Sequence, residues 1–300
     1  MVKEFDQKIK AKMDELIEKY ASPPPQYLTN LINMLKSEDD KISVSKIALE
    51  LAKDPVITAD TIRMANSAYY GFSQEIKSLE QAIVVLGKKS LLRLIIAAWA
   101  KKIASRELRS FRLSEGELVI FSITGAFAAV KFGEMTGLRF LSDVIFTAGA
   151  LRTIGRVIMD GLGASAINQV LREILEKKIS FHRASKNVFG FSHNELGAYA
   201  LRKWGIPEEL AVVVDYYPYP SEFSGDKTTL KIISCVHLGD VVAMQIGEGA
   251  PVDSMIHAVD RTAFSVLQLD NSDDVLERVY EMVLPEVEKI KDTFQIRTHI

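Results

Sequence analysis

One cysteine, Cys235, stands in 300 residues. A single thiol cannot close an intrachain disulfide, so no disulfide framework holds this fold. Among its apolar neighbours the side chain reads as a packed thiol, not a nucleophile. Tryptophan is limited to two and proline to nine, three of them consecutive at Pro23, Pro24 and Pro25. An excess of one charge is also missing. Lys and Arg total 37 against 39 Asp and Glu, a net charge of −2. That balance speaks against a sequence-blind nucleic-acid binder, although charge alone leaves room for a local basic patch. No uncharged apolar run of ~18 residues is found, so no membrane span is expected. The N-terminus opens on alternating charges instead of an apolar signal region. There is no Walker loop, no Gly-x-Ser-x-Gly, no Cys-x-x-Cys and no other nucleophile motif. Strand-like alternation and repeats of fixed period are absent. These absences point to a reducing cytoplasm and leave no ready-made enzyme constellation.

What remains is apolar residues at helical spacing. With 48% hydrophobic and 25% charged residues, the chain has an ordinary globular composition and enough length for one large or two smaller domains. Ile9, Met13, Leu16, Ile17 and Tyr20 form a stripe over residues 3–20, and Leu28, Leu31, Ile32 and Leu35 form a second after the prolines. Ser43 caps a third helix, which Asp54-Pro55 ends. A fourth is expected to run to Gly71. Ser78 with Gln81 reads as a capping box for a short helix ending at Gly87. Residues 91–103 are apolar nearly all round, the mark of a buried helix. The charged stretch 101–117 is the best internal boundary. Beyond it come helices over about 118–135, 144–152, 156–159, 193–204, 208–217 and 230–242, with 177–190 less regular and 221–227 a loop. Asn271, Ser272, Asp273 and Asp274 cap a last amphipathic helix, carrying Val275, Val279, Val283, Val287 and Ile290 and kinked by Pro285. The expected class is all-α.

Two blocks resemble the HDOD family, helical relatives of the HD and HD-GYP metal-dependent phosphohydrolases. The first is Asp54-Pro55, Thr58, Arg63, Ala65-Asn66-Ser67-Ala68, Tyr70-Gly71, Ile76, Ser78, Ala82-Ile83 and Leu86-Gly87. The second is His193-Asn194-Glu195-Leu196-Gly197-Ala198 followed by Trp204-Gly205-Ile206-Pro207-Glu208-Glu209. The resemblance covers about residues 18–216 and weakens towards Asp240. It implies an N-terminal helical bundle over about 18–110, an HD-like part over about 111–216, and a C-terminal extension over 217–300 that completes the HD-like core. It also implies a non-catalytic module of bacterial signalling proteins. Residue by residue, blander readings stand beside that one. Asn66-Ser67 suits a helix terminus, whose free backbone groups such side chains satisfy, as well as a binding site. Arg63 reads as exposed or paired before it reads as a ligand contact.

HD phosphohydrolases hold metal ions with His and Asp side chains, and the ions activate a water and clamp phosphate oxygens. The resemblance places Phe121 at the first His position and Arg152-Thr153 at the His-Asp pair. His193 falls at a later His, Tyr216-Tyr217 at a His-His pair, and Asp240 at the final Asp. Five of these seven positions lack a good ligand. Arginine has five donors and no acceptor, and it repels a cation. One His and one Asp are too few for a catalytic site, even if His237, three residues before Asp240, makes a third. No catalytic residue, metal or cofactor is therefore expected. Arg152 is expected either to replace the metal's charge beside Asp240 or to face solvent, and His193 to be a helix-start histidine satisfied by backbone. The vacated site suits a phosphate or nucleobase held by Arg152, Tyr216 and Tyr217, or else Phe121 and the tyrosines fill it. The leading expectation is a non-catalytic signalling protein acting through protein partners, with a small ligand in the old site as an option, no membrane and no nucleic acid. A residual phosphohydrolase or cyclic-dinucleotide phosphodiesterase, and a nucleic-acid-associated regulator, are the competing readings. The final helix and the Tyr-rich stretch 216–220 are interface candidates, against intramolecular packing.

Overall fold

The computed structural model describes residues 5–36, 43–66, 75–252, 259–270 and 272–294. Regular structure there is helical throughout. The only strand-like pairing among the described residues is an isolated antiparallel bridge between Leu108 and Leu113. The chain is all-α, as its periodicity requires.

The N-terminal third builds α1 (Gln7–Tyr20), α2 (Gln26–Lys36), α3 (Val44–Leu51), α4 (Pro55–Ala65) and α5 (Leu79–Ala104). Ser43 caps α3 by accepting from Lys46 N, and Asp54 caps α4 with Pro55 in its first turn. Helix α4 stops at Ala65 and does not run on towards Gly71, which lies outside the described residues. The stop has a local cause. Asn66 donates to Ile62 O and Ile76 O and accepts from Ile76 N, so its amide fastens the returning chain to the helix end. Ser78 accepts from Gln81 N as expected, but Gln81 returns its oxygen to Lys77 N, one residue short of a capping box. Gly87, at φ 77° and ψ 163°, breaks α5 into the short and the long helix that its pattern announces. The long part, from Leu91, is buried on nearly every side.

The remaining elements are α6 (Glu117–Met135), α7 (Ser142–Leu151), α8 (Ile154–Met159), α9 (Ala164–Lys177), α10 (Phe181–Phe189), α11 (His193–Lys203), α12 (Glu208–Tyr216), α13 (Lys227–Ile246), α14 (Thr262–Leu267), α15 (Ser272–Val283) and α16 (Glu286–Phe294). Helix α6 is the axle. Helix α13 crosses it at Gly239, where a Cβ would lie 2.4 Å from Gly125 O. Helix α7 crosses it at Gly149, where a Cβ would lie 2.8 Å from Ala126 Cα. A third close crossing joins α8 to α11, since a Cβ on Gly155 would stand 1.7 Å from His193 O. Backbones approach this closely only where side chains are missing, and the result brings α6, α7, α8, α11 and α13 to one point.

Helices α6 and α13 are long and apolar enough to cross a membrane when up to two charges are tolerated. Lys131 and Glu134 interrupt the first and Lys231 and Asp240 the second, and in each the apolar window is mostly buried inside the fold. The stretch read as less regular contains α10, capped by Ser180 accepting from Arg183 N. The last amphipathic helix is two helices, because Pro285 has no N–H to donate and its ring crowds the preceding turn. Its cap residue Asn271 and the side chains of Ser272 and Ile290 lie outside the described residues.

Candidate functional site: a buried arginine at the helix crossing

Arg152 follows the last residue of α7 and is fully buried. Its Nε donates to Asp240 Oδ1 on α13 at 2.5 Å. Nη1 donates to Ser122 O at 2.7 Å and Gly149 O at 2.9 Å, and Nη2 donates to Phe121 O at 2.9 Å. The guanidinium carbon sits 4.6 Å from the centre of the Phe121 ring. The sequence explains each element of this cradle. Gly149 O is among the last carbonyls of α7, which have no intrahelical partner and sit at the negative end of the helix dipole. The carbonyls of Ser122 and Phe121 offer a second lone pair beyond their helical bonds. Gly125 makes the space, because a Cβ there would lie 2.2 Å from Arg152 Nη2. Thr153 does not enter the cradle. Its Oγ1 bonds Ser122 Oγ at 2.8 Å, and Ser122 Oγ also reaches Ala150 O, closing α7 onto α6.

A second layer lies beside the first. His193 Nε2 and Tyr217 Oη are 2.8 Å apart, and Arg156 Nη1 approaches the same phenol at 3.4 Å. Arginine only donates, so the phenol proton is placed to go to His193 Nε2. Burial pushes the Tyr217 phenol well above its ordinary range, and the Asp240 charge adds to the effect, so it stays neutral. Phe181 stands 5.4 Å from the His193 ring. His193 thus faces a tyrosine side chain, not the backbone alone. Tyr216 points elsewhere, with its ring 5.2 Å from Phe223, so the adjacent tyrosines do not act as a pair. His237 is committed as well. Its Nε2 accepts from Asp260 N at 2.9 Å, which puts the proton on Nδ1, 3.0 Å from Tyr217 O.

Of the residues singled out in the sequence, the fold gathers Phe121, Arg152 and Asp240 into one cluster, with His193 and Tyr217 next to it. Thr153 and Tyr216 stand aside. The described motif residues of the first block lie on α4, on α5 and at their ends, in the N-terminal bundle. Asp54 caps α4 while accepting from the Tyr27 hydroxyl and Lys102. Arg63 pairs with Asp60 at 2.5 Å, and Lys101 holds the same carboxylate. Ser67, Tyr70 and Gly71 lie outside the described residues. Trp204 meets Trp99 edge to face at 5.5 Å, and Pro207 precedes α12. Gly125, Ser122 and Arg156 escaped the sequence reading. The small side chains of Ser122, Thr124, Gly125 and Ala126 inside an otherwise bulky apolar helix are the signal that marks such a crossing.

A divalent ion does not fit this arrangement. The guanidinium occupies the face of Asp240 that an ion would need, His237 has both ring nitrogens engaged, and Phe121 offers no donor atom. Among the described residues no three His, Cys, Asp or Glu side chains converge to hold a metal. A small anion would have to displace Asp240 from Arg152 inside a packed core.

Comparison with known proteins places this geometry. A sequence profile described as HDOD domain matches residues 22–220. An HDOD domain protein of unknown function from Geobacter sulfurreducens superposes with a TM-score of 0.63 at 22% identity, covering 98% of this chain and 99% of its own. A candidate phosphohydrolase from Shewanella amazonensis superposes with a TM-score of 0.65 at 18% identity, over 96% and 97% of the two chains. Both likenesses establish the helical HD-like fold. An uncharacterized protein of Treponema pallidum is 20% identical over 194 residues, which are 64% of this chain and 37% of that one. The matched stretch thus spans little more than a third of that curated relative.

Proposed function

This chain belongs to the HDOD family, and from that premise we propose that it is a non-catalytic regulatory protein of bacterial signalling that works in the cytoplasm through protein partners. In this reading residues 18–216 form the HDOD unit and 217–300 supply the helix that carries Asp240. The observation that carries the proposal is the Arg152–Asp240 pair, with the guanidinium seated on three backbone carbonyls where hydrolytic relatives need metal ligands. Metal-assisted hydrolysis needs acceptor ligands and an open coordination position. A guanidinium provides neither, and it neutralises the one carboxylate left in the cluster.

The test is elemental analysis of protein purified without chelator, together with turnover of bis(p-nitrophenyl) phosphate in added manganese. Substoichiometric metal and no turnover are expected. Stoichiometric transition metal, with turnover lost in H193A and D240N, would reinstate the phosphohydrolase reading.

A further inference from the structure

We propose that an open groove along α9 docks an acidic, amphipathic helical segment of a partner protein. The proposal rests on the reading of this chain as one that acts through partners. The groove has a volume of about 760 Å³ and lies apart from the Arg152 cluster. One wall is a stripe of α9 containing Asn168, Leu171, Arg172 and Leu175. The steps 168–171–175 and 168–172–175 are each three or four residues, so the four side chains share a face roughly 10 Å long at 1.5 Å per residue. Leu175 is 59% exposed, a large apolar side chain left in water at the end of the stripe. Arg112 and Val252 come in from other parts of the chain.

Charge says what kind of segment fits. Among the described residues, two arginines line the groove and no acidic residue does. Arg63, Arg93, Arg109, Arg152 and Arg202 are each paired with a carboxylate, while Arg139, Arg183, Arg261 and Arg278 have none among the described residues. Arg112 and Arg172 have no such partner among the described residues, in a chain whose net charge is negative. The backbone of Arg112 is also fixed by its surroundings. It adopts φ 56° and ψ 39°, a left-handed conformation uncommon for a residue with a side chain. The surrounding hairpin enforces it. Leu108 and Leu113 exchange backbone hydrogen bonds, Phe111 is buried against Phe181, and Ser110 N donates to Asp160 Oδ1 at 2.8 Å. An arginine presented this way on an apolar groove matches carboxylates flanking an apolar helix face. Cations on two separate elements, along an open stripe, suit acids spread over a segment better than one small headgroup.

The experiment uses the full chain and a fluorescein-labelled peptide of about fifteen residues, Leu at helical i, i+3, i+4 and i+7 spacing with Glu flanking, against a twin with Lys for Glu. Saturable binding of the Glu peptide is expected, with the Lys twin at least about tenfold weaker. The R112E/R172E variant, altered only at exposed positions, should keep its melting curve and invert the preference. Leu175→Asp should weaken both peptides. Equal binding of the twins, no binding of either, an unchanged preference in the charge-reversed variant, or binding of dodecyl phosphate in place of the peptide overturns the proposal. Metal-loaded, hydrolytically active protein would sink the parent reading whatever the peptides do. Loss of charge preference would sink the groove while leaving the Arg152–Asp240 pair intact.

Discussion

Gly125 and Arg152 occupy adjoining space from opposite sides of a helix crossing, so a larger residue at 125 meets the guanidinium. Gly125→Ala would place a methyl where the guanidinium sits, and it should cost about 1–3 kcal/mol or more through overpacking. Arg152→Ala strands Asp240 in the core, and losing one partner of a buried ion pair typically costs about 3–5 kcal/mol. The two losses should not add. With the guanidinium gone, the alanine at 125 has room, so G125A/R152A should be no less stable than R152A alone. Urea unfolding of the four proteins checks this, and strict additivity would mean that the close approach at Gly125 is not what fixes the arginine. Which parts of the cluster could be read in advance follows from the chemistry. Arg152, Asp240 and Phe121 announce themselves because charged or bulky residues stand at positions with a known counterpart in the family. The carbonyls of Phe121, Ser122 and Gly149 are invisible in a sequence, since every residue has one, and only the crossing angle decides which are offered.

Among the elements, those that pack an apolar side on several neighbours are the most legible. Helices α6 and α13 and the second half of α5 follow directly from their composition. Helix α10 does not, because its nine residues include His182, Arg183, Ser185, Lys186 and Asn187, and tertiary contacts of Phe181 and Ala184 hold it in place. The end of α4 is equally illegible in the sequence, because one side chain sets it. Asn66 makes three hydrogen bonds, two of them to Ile76. Asn66→Ala should therefore cost about 1–3 kcal/mol, since the Ile76 amide loses its acceptor. It should also raise hydrogen exchange at Ile76 N far more than at Leu94 or Ile95 in the buried part of α5. Uniform exchange across both segments would show that Asn66 is not the local fastener.

Across the whole molecule one continuous apolar cluster runs from Met13 on α1 to Val283 on α15. Around its edge, carboxylates tie distant segments together. Asp54 accepts from Tyr27 and Lys102, and Asp260 accepts from Ser221 N and Thr262 N. For both groups burial works to raise the pKa, and the hydrogen bonds outweigh it, so both sit below the ordinary aspartate value. A carboxylate whose folded pKa is depressed stabilises the fold fully above its unfolded pKa of about 3.9, and the contribution fades as pH falls through the lower, folded value. The melting temperature should hold above about pH 5 and drop below about pH 4. D54N/D260N should start lower at neutral pH and fall less steeply, as followed by circular dichroism. Parallel curves for the two proteins would assign the acid sensitivity to other groups.

A core that borrows its positive charge from a dissolved ion is stabilised only in proportion to how much of that ion is present, by mass action. Here the cation is tethered covalently to α7 and is present once per chain at every dilution. The Arg152 seat therefore makes the charge balance of this helix crossing independent of the supply of metal. In the non-catalytic reading proposed above, a chelator should therefore leave the melting curve of this protein unchanged.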